Sequence, residues 1–252
     1  MAAQIIAHRG ASHDAPENTL AASNLAWKQG ADAVEIDVQL SSDGHLVVCH
    51  DKDTLRTTGI AGKISELTLA QIQALDAGAF KGEAWKGERI PTLDQVLASL
   101  PSDKRLFIEL KGNSTLVSPV EEAIKRSTCT CEQLVLIGFD IPAMQEAKRR
   151  LPHHAVLLLY GFSQNEEESL KRWQPRIESL IARAKEVGAD GLNLCYTTPD
   201  DLKWIEKVKA AGLKACVWTV DDPIAAKYLI DAGIEVITTN RPGWLQKQLM
   251  RE

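Results

Sequence analysis

The sequence predicts an α/β fold, a TIM-type (βα)8 barrel of parallel strands, and three observations carry that reading. Short apolar runs recur along the chain with helical segments between them, and several are nearly continuous in apolar residues, as strands covered by helices should be. Once one run is assigned to a local hairpin, about eight remain to lie parallel, and 252 residues matches the roughly 250 that eight βα units use. The first run is followed by "HRGASHDAPENT". That stretch lacks the GxGxxG loop expected of the competing arrangement, a doubly wound open sheet.

The elements follow in order. Gln4–Ala7 is the first strand, and the helix Leu20–Gln29 stops at Gly30, a residue suited to the left-handed turn that ends helices. Ala33–Val38 and Leu46–Cys49 pair as the hairpin. Residues 51–91 are glycine-rich without an evident barrel strand. About 40 residues are too few to fold alone, so this stretch reads as a small insertion after the second strand region of a single barrel domain spanning 1–252. Thr68 with Gln71, and Thr92 with Gln95 opening Leu93–Ser99, match capping boxes. The later strands are Leu106–Leu110, Leu134–Gly138, Ala155–Tyr160, Gly191–Leu194, Lys214–Thr219 and Val236–Thr238. Between them come helices at Pro119–Ser127, with proline suited to a first turn, and at Ala143–Arg150, Pro175–Val187, Pro199–Ala210 and Pro223–Ala232.

Composition narrows the function classes. The formal net charge is −5, from 29 basic and 34 acidic residues, which gives no electrostatic footprint for nucleic acid. No run reaches the 18 or so apolar residues that a membrane span requires, and "MAAQIIAHRG" lacks the pattern of a secretory signal. Cysteines at 49, 129, 131, 195 and 216 are an odd number lying mostly in strand-like segments, read as buried thiols of a reducing compartment. The expectation is a cytoplasmic soluble protein, and the charge balance does not exclude a phosphate-bearing small molecule as its ligand.

Ionisable residues gather at strand ends. In "VEIDVQL", Glu35 and Asp37 stand two apart and point the same way, opposite Val34, Ile36 and Val38. Facing solvent they make an ordinary half-buried strand; facing a closed interior they need a cation. His8 and Arg9 follow the first strand, His50 and Asp51 the hairpin's return, and Glu109 and Lys111 end the strand after the insertion. Carboxyl ends of strands are where βα barrels build active sites. Glu35, Asp37 and Glu109 suit one hard divalent cation, Mg²⁺ or Ca²⁺, rather than zinc. His8 and His50 could exchange protons near neutrality, Arg9 offers a fork to a phosphate and Lys111 a compact charge. Asn18 fits a helix N-cap. Trp218 fits either an apolar wall or core packing.

"AHRG", "PENT", "GADAVEIDVQLSSDGHLVVCHD", "LRTTG", "FIELK", "VWTVDD" and "TTNRPG" together resemble the glycerophosphodiester phosphodiesterase family, from His8 to Gly243. The resemblance implies a βα barrel with a small insertion and metal-dependent hydrolysis of glycerophosphodiesters, such as deacylated phospholipids, to glycerol 3-phosphate and an alcohol. It makes His8 and His50 the acid–base pair; Glu35, Asp37 and Glu109 the metal ligands; and Arg9 and Lys111 the phosphate-binding cations. Glu17 becomes a supporting residue and Trp218 part of the substrate wall. Ser42-Asp43 and Ile137-Gly138-Phe139 depart from the family pattern, the latter by lacking hydroxyls near the site. Two alternatives stand beside this reading. One is a phospholipase that forms cyclic phosphates, which needs an apolar rim not evident in the sequence. The other is a metal- and phosphate-binding barrel without catalysis.

Overall fold

A computed structural model describes residues 3–161, 173–196 and 202–250. Its strands are β1 Gln4–His8, β2 Ala33–Leu40, β3 Leu46–Val48, β4 Arg105–Leu110, β5 Leu134–Gly138, β6 Ala155–Tyr160, β7 Gly191–Cys195, β8 Lys214–Trp218 and β9 Val236–Thr239. The sheet runs β1-β9-β8-β7-β6-β5-β4-β2-β3, and β1 also pairs with β2, closing eight parallel strands into a barrel. Only β3 lies outside the cylinder, antiparallel to β2. This is the (βα)8 barrel that the spacing of apolar runs predicts.

Ten α-helices are seen among the described residues: α1 Leu20–Lys28, α2 Leu55–Thr58, α3 Leu69–Ala74, α4 Leu93–Ser99, α5 Val117–Arg126, α6 Ile141–Arg150, α7 Trp173–Val187, α8 Lys203–Ala210, α9 Pro223–Asp231 and α10 Pro242–Leu249. Both capping boxes form. Pro119 sits inside the first turn of α5 rather than at its first residue. That position is tolerated because the first N–H groups of a helix lack intrahelical partners in any case. The expected start of α8 at Pro199 lies outside the described residues. α10 was not foreseen: its short "PGWLQKQL" shows little periodicity, yet Leu245 is fully buried.

Strand alternation divides the core in two. Val34, Ile36 and Val38 of β2 and Leu106, Ile108 and Leu110 of β4 pack outward against the helices. Ile6, Ala33, Phe107, Val135, Ile137, Leu157, Leu159, Cys216 and Val236 fill the barrel interior. Burying a large apolar side chain contributes about 1.5–3 kcal/mol, so this plug is a main support of the cylinder. In residues 51–91, α2, α3 and short 3-10 turns enclose a small core of their own: Ile64, Ile72, Ala77 and Ile90 with Val47 and Cys49. Among the described residues no helix is long and apolar enough to cross a membrane.

Candidate active site

The alternation that sends Val34 and Ile36 outward sends Glu35 and Asp37 inward. Both are buried, at 3% and 1% exposure. Parallel register sets Asp37 beside Glu109 of β4 and His8 of β1 beside Glu35. Carboxylate oxygens of Glu35, Asp37 and Glu109 all lie within 4.8 Å of one another. Burial, Asp37 and Glu109 together raise the Glu35 carboxyl well above its usual range. Burial and then Asp37 push Glu109 up to about 7, against the pull of Lys111. Three acids forced together in this way repel, and Asp37 Oδ1 has no hydrogen-bond partner among the described residues. An all-oxygen donor set with an orphaned buried oxygen fits a hard divalent cation.

Positive groups ring the cluster. Lys111 Nζ is 2.9 Å from Glu109 Oε1 and 3.7 Å from Asp37 Oδ1. Arg9 is in the left-handed region, φ 56°, which turns its amide toward Glu35 Oε2 (3.0 Å) and its Nε to within 3.3 Å of Asp37 Oδ2. Gly10 follows at φ 80°, and a Cβ there would lie 2.6 Å from Ala22 of α1, so only glycine fits. Glu17 accepts from Arg9 Nη1 at 2.9 Å. Burial alone would raise the Glu17 carboxyl, but Arg56 and Arg9 hold it at about 2.

The two histidines have different partners. His8 Nε2 is 4.0 Å from Glu35 Oε2, and Nδ1 lies 2.8 Å from Asn240 Oδ1. The Asn240 amide nitrogen donates to Asp221 at 2.6 Å, which leaves Oδ1 to accept from the His8 ring. Burial and Arg9 push His8 down to about 4. His50 is more open, and its Nδ1 lies 2.7 Å from Asp51 Oδ1. Trp218 borders both the interior plug and the mouth: its indole N–H donates to the Asn193 carbonyl, and Phe139 meets it edge to face at 5.9 Å.

Asn18 does not cap α1. Thr19 does, accepting from the Ala22 amide, while Asn18, at φ 58°, donates to Asp37 Oδ2 at 2.8 Å and accepts from the Asp37 amide. An asparagine before a helix suits either role, and the following threonine is the only sequence hint. Asn240, Asp221 and Arg56 were also missed, since their partners are distant in the chain or lie in the irregular insertion.

The family model described as "Glycerophosphoryl diester phosphodiesterase family" matches residues 8–244. The chain belongs to this family. Membership makes it a phosphodiesterase. It is 37% identical over 244 residues to a glycerophosphodiester phosphodiesterase of Caldanaerobacter subterraneus subsp. tengcongensis, covering 94% of each chain. Among solved structures it is similar to an Oleispira antarctica phosphodiesterase in complex with the product sn-glycerol-3-phosphate. The TM-score there is 0.84 at 31% identity, covering 99% of this chain and 97% of that one. A glycerophosphodiester phosphodiesterase from Agrobacterium tumefaciens gives a TM-score of 0.78 at 27% identity, covering 97% and 99%.

Proposed function

We propose that the chain hydrolyses glycerophosphodiesters to glycerol 3-phosphate and a free alcohol, with His8 and His50 exchanging the protons. One observation carries the reading: three buried carboxylates converge at the barrel mouth with His8 against Glu35 and with Arg9 and Lys111 around them. A product-bound relative is consistent with it. A divalent cation, Mg²⁺ or Ca²⁺, held by Glu35, Asp37 and Glu109, would supply Lewis-acid polarisation of a phosphodiester oxygen.

The chain's own groups do the rest. Arg9 and Lys111 offset the phosphodiester charge, and Trp218 supplies a wall for the substrate's carbon skeleton. His8 donates from Nδ1 to Asn240, so in its neutral ring Nε2 carries the lone pair. This makes His8 the base toward the attacking oxygen. His50 faces a carboxylate, a partner suited to steadying a ring protonated on both nitrogens, and it gives one of those protons to the departing alcohol oxygen. In the second half-reaction His50 takes a proton from the attacking water and His8 releases its own, which resets both rings. The family resemblance supports a first attack by the adjacent glycerol hydroxyl, giving a cyclic phosphate that water then opens. An attached nucleophile gains from proximity. An odd cysteine count and a formal net charge of −5 support a small-molecule enzyme of the cytoplasm.

The test is release of glycerol 3-phosphate from a panel of glycerophosphodiesters, with chelator and then with Mg²⁺ or Ca²⁺ restored. Activity is expected to vanish and return; hydrolysis indifferent to thorough chelation rejects the metal site. A lysophospholipid in the panel probes the alternative of acyl-bearing substrates. Exposed Leu55, Ile60 and Phe80 on the insertion, which the sequence did not mark as a rim, give that alternative its one support.

A further inference from the structure

Arg56 stands on α2, inside the insertion, yet its guanidinium is spent on two other segments. Nη1 donates to Glu17 Oε2 at 2.7 Å and Nη2 to Glu17 Oε1 at 2.8 Å, a two-point fork. Nε donates to Asp51 Oδ2 at 2.6 Å. Each acceptor passes the constraint on. Glu17 also holds Arg9, the residue next to His8, and Arg9 reaches Asp37. Asp51 turns its other oxygen to the His50 ring. A continuous chain of charged contacts thus runs Asp37–Arg9–Glu17–Arg56–Asp51–His50.

We propose that Arg56 is a positioning residue that fixes the His50 ring relative to Arg9 and the acidic cluster, so that the insertion completes the active site. This rests on the functional reading above, in which His50 moves a proton. Exposed ion pairs add little to stability, and the Arg56 side chain is 47% exposed, so its worth lies in geometry. Glu17 alone could not order His50, because nothing else described here joins it to Asp51. Without the guanidinium, the Asp51 carboxylate is free to rotate about its own side chain, and the ring it orients turns with it. A planar fork reaching two carboxylates is a task for arginine; a lysine ammonium is a single point on a flexible stem.

The experiment compares the full chain with Arg56→Ala, Arg56→Lys and, as a control on the same insertion, Lys63→Ala. Among the described residues the Lys63 side chain pairs with Glu66 at an exposed site. Glycerophosphocholine hydrolysis is followed at saturating Mg²⁺, beside thermal melts. Arg56→Ala is expected to lose about 10- to 100-fold in kcat, the usual cost of an orienting partner, with KM little changed. Guanidinium ion, but not sodium chloride of equal ionic strength, restores part of the loss. Arg56→Lys recovers less than the parent, and Lys63→Ala matches it. Ring-nitrogen NMR supplies a readout independent of turnover: His50 holds its proton on Nδ1 in the parent and becomes a tautomer mixture in Arg56→Ala. A kcat within about twofold of the parent, a loss that guanidinium leaves untouched, or an unchanged His50 tautomer overturns the proposal. A parent that hydrolyses no diester overturns the functional reading instead, and the NMR comparison then decides the brace alone.

Discussion

At the carboxyl ends of β1, β2 and β4 the inward residues are His8, Glu35, Asp37, Glu109 and Lys111; on β5, β6 and β8 they are Ile137, Leu159 and Trp218. Both arcs obey the same alternation, and both send aliphatic residues outward to the helices. They differ in what faces the cavity. Three acids on two neighbouring strands lie close enough for a single cation to serve all of them, and Arg9 and Lys111 offset their repulsion meanwhile. The opposite arc carries no charge to compensate, although Asn193 of β7 sets in it a buried amide oxygen with no partner among the described residues. That arc can therefore hold the barrel rigid and give a substrate's carbon chain something to lie on.

Breaking the polar arc should cost most. His8→Ala or His50→Ala is expected to lower kcat by about 10²–10⁴-fold in a steady-state assay, since in the proposed reaction each removes a positioned proton-transfer group. Near-parental turnover in either would dissolve the distinction between the arcs. Breaking the plug beneath them should act on folding instead. Phe107→Ala, in the barrel interior, is expected to cost about 3–5 kcal/mol in denaturant unfolding.

Smaller effects sharpen the contrast. Glu109 ionises in the folded, metal-free protein at about 7 against a usual 4.5. A raised carboxyl favours the folded state while protonated. Its contribution is complete below the unfolded value and is lost as pH rises toward 7. Melting temperature in chelator should therefore fall across that window relative to the Mg²⁺-loaded protein, and parallel curves would argue that the acids do not confront one another. Glu35→Gln should raise the chelated protein's melting temperature by about 2–4 °C, the shift that ~1 kcal/mol produces in a chain of this size. Trp218→Leu, on the apolar arc, should raise KM by about tenfold or less and leave kcat nearly intact, as loss of uniform binding does.

Much of this asymmetry was legible in the sequence. A strand has period two, so "VEIDVQL" and "FIELK" reveal that their charges share a face, and the count of apolar runs reveals the barrel around them. What stayed hidden has a physical reason in each case. Asn18 reaches Asp37 only because its backbone is left-handed, and no pattern in "PENT" announces that angle. Asn240 meets His8 across the seam where β9 pairs with β1, a closure that joins residues 232 positions apart. Arg56 lies in a four-residue helix, too short for any periodicity to fix its direction.

The segment from Arg9 to Asn18 begins with two left-handed residues, ends with a third, and returns an amide of Asn18 to the Arg9 carbonyl at 3.0 Å. Such a clasp has a fixed number of links. Lengthening or trimming it by one residue would rotate every later side chain out of step, whereas the ring pair Phe139 and Trp218 on the apolar arc can be varied one side chain at a time.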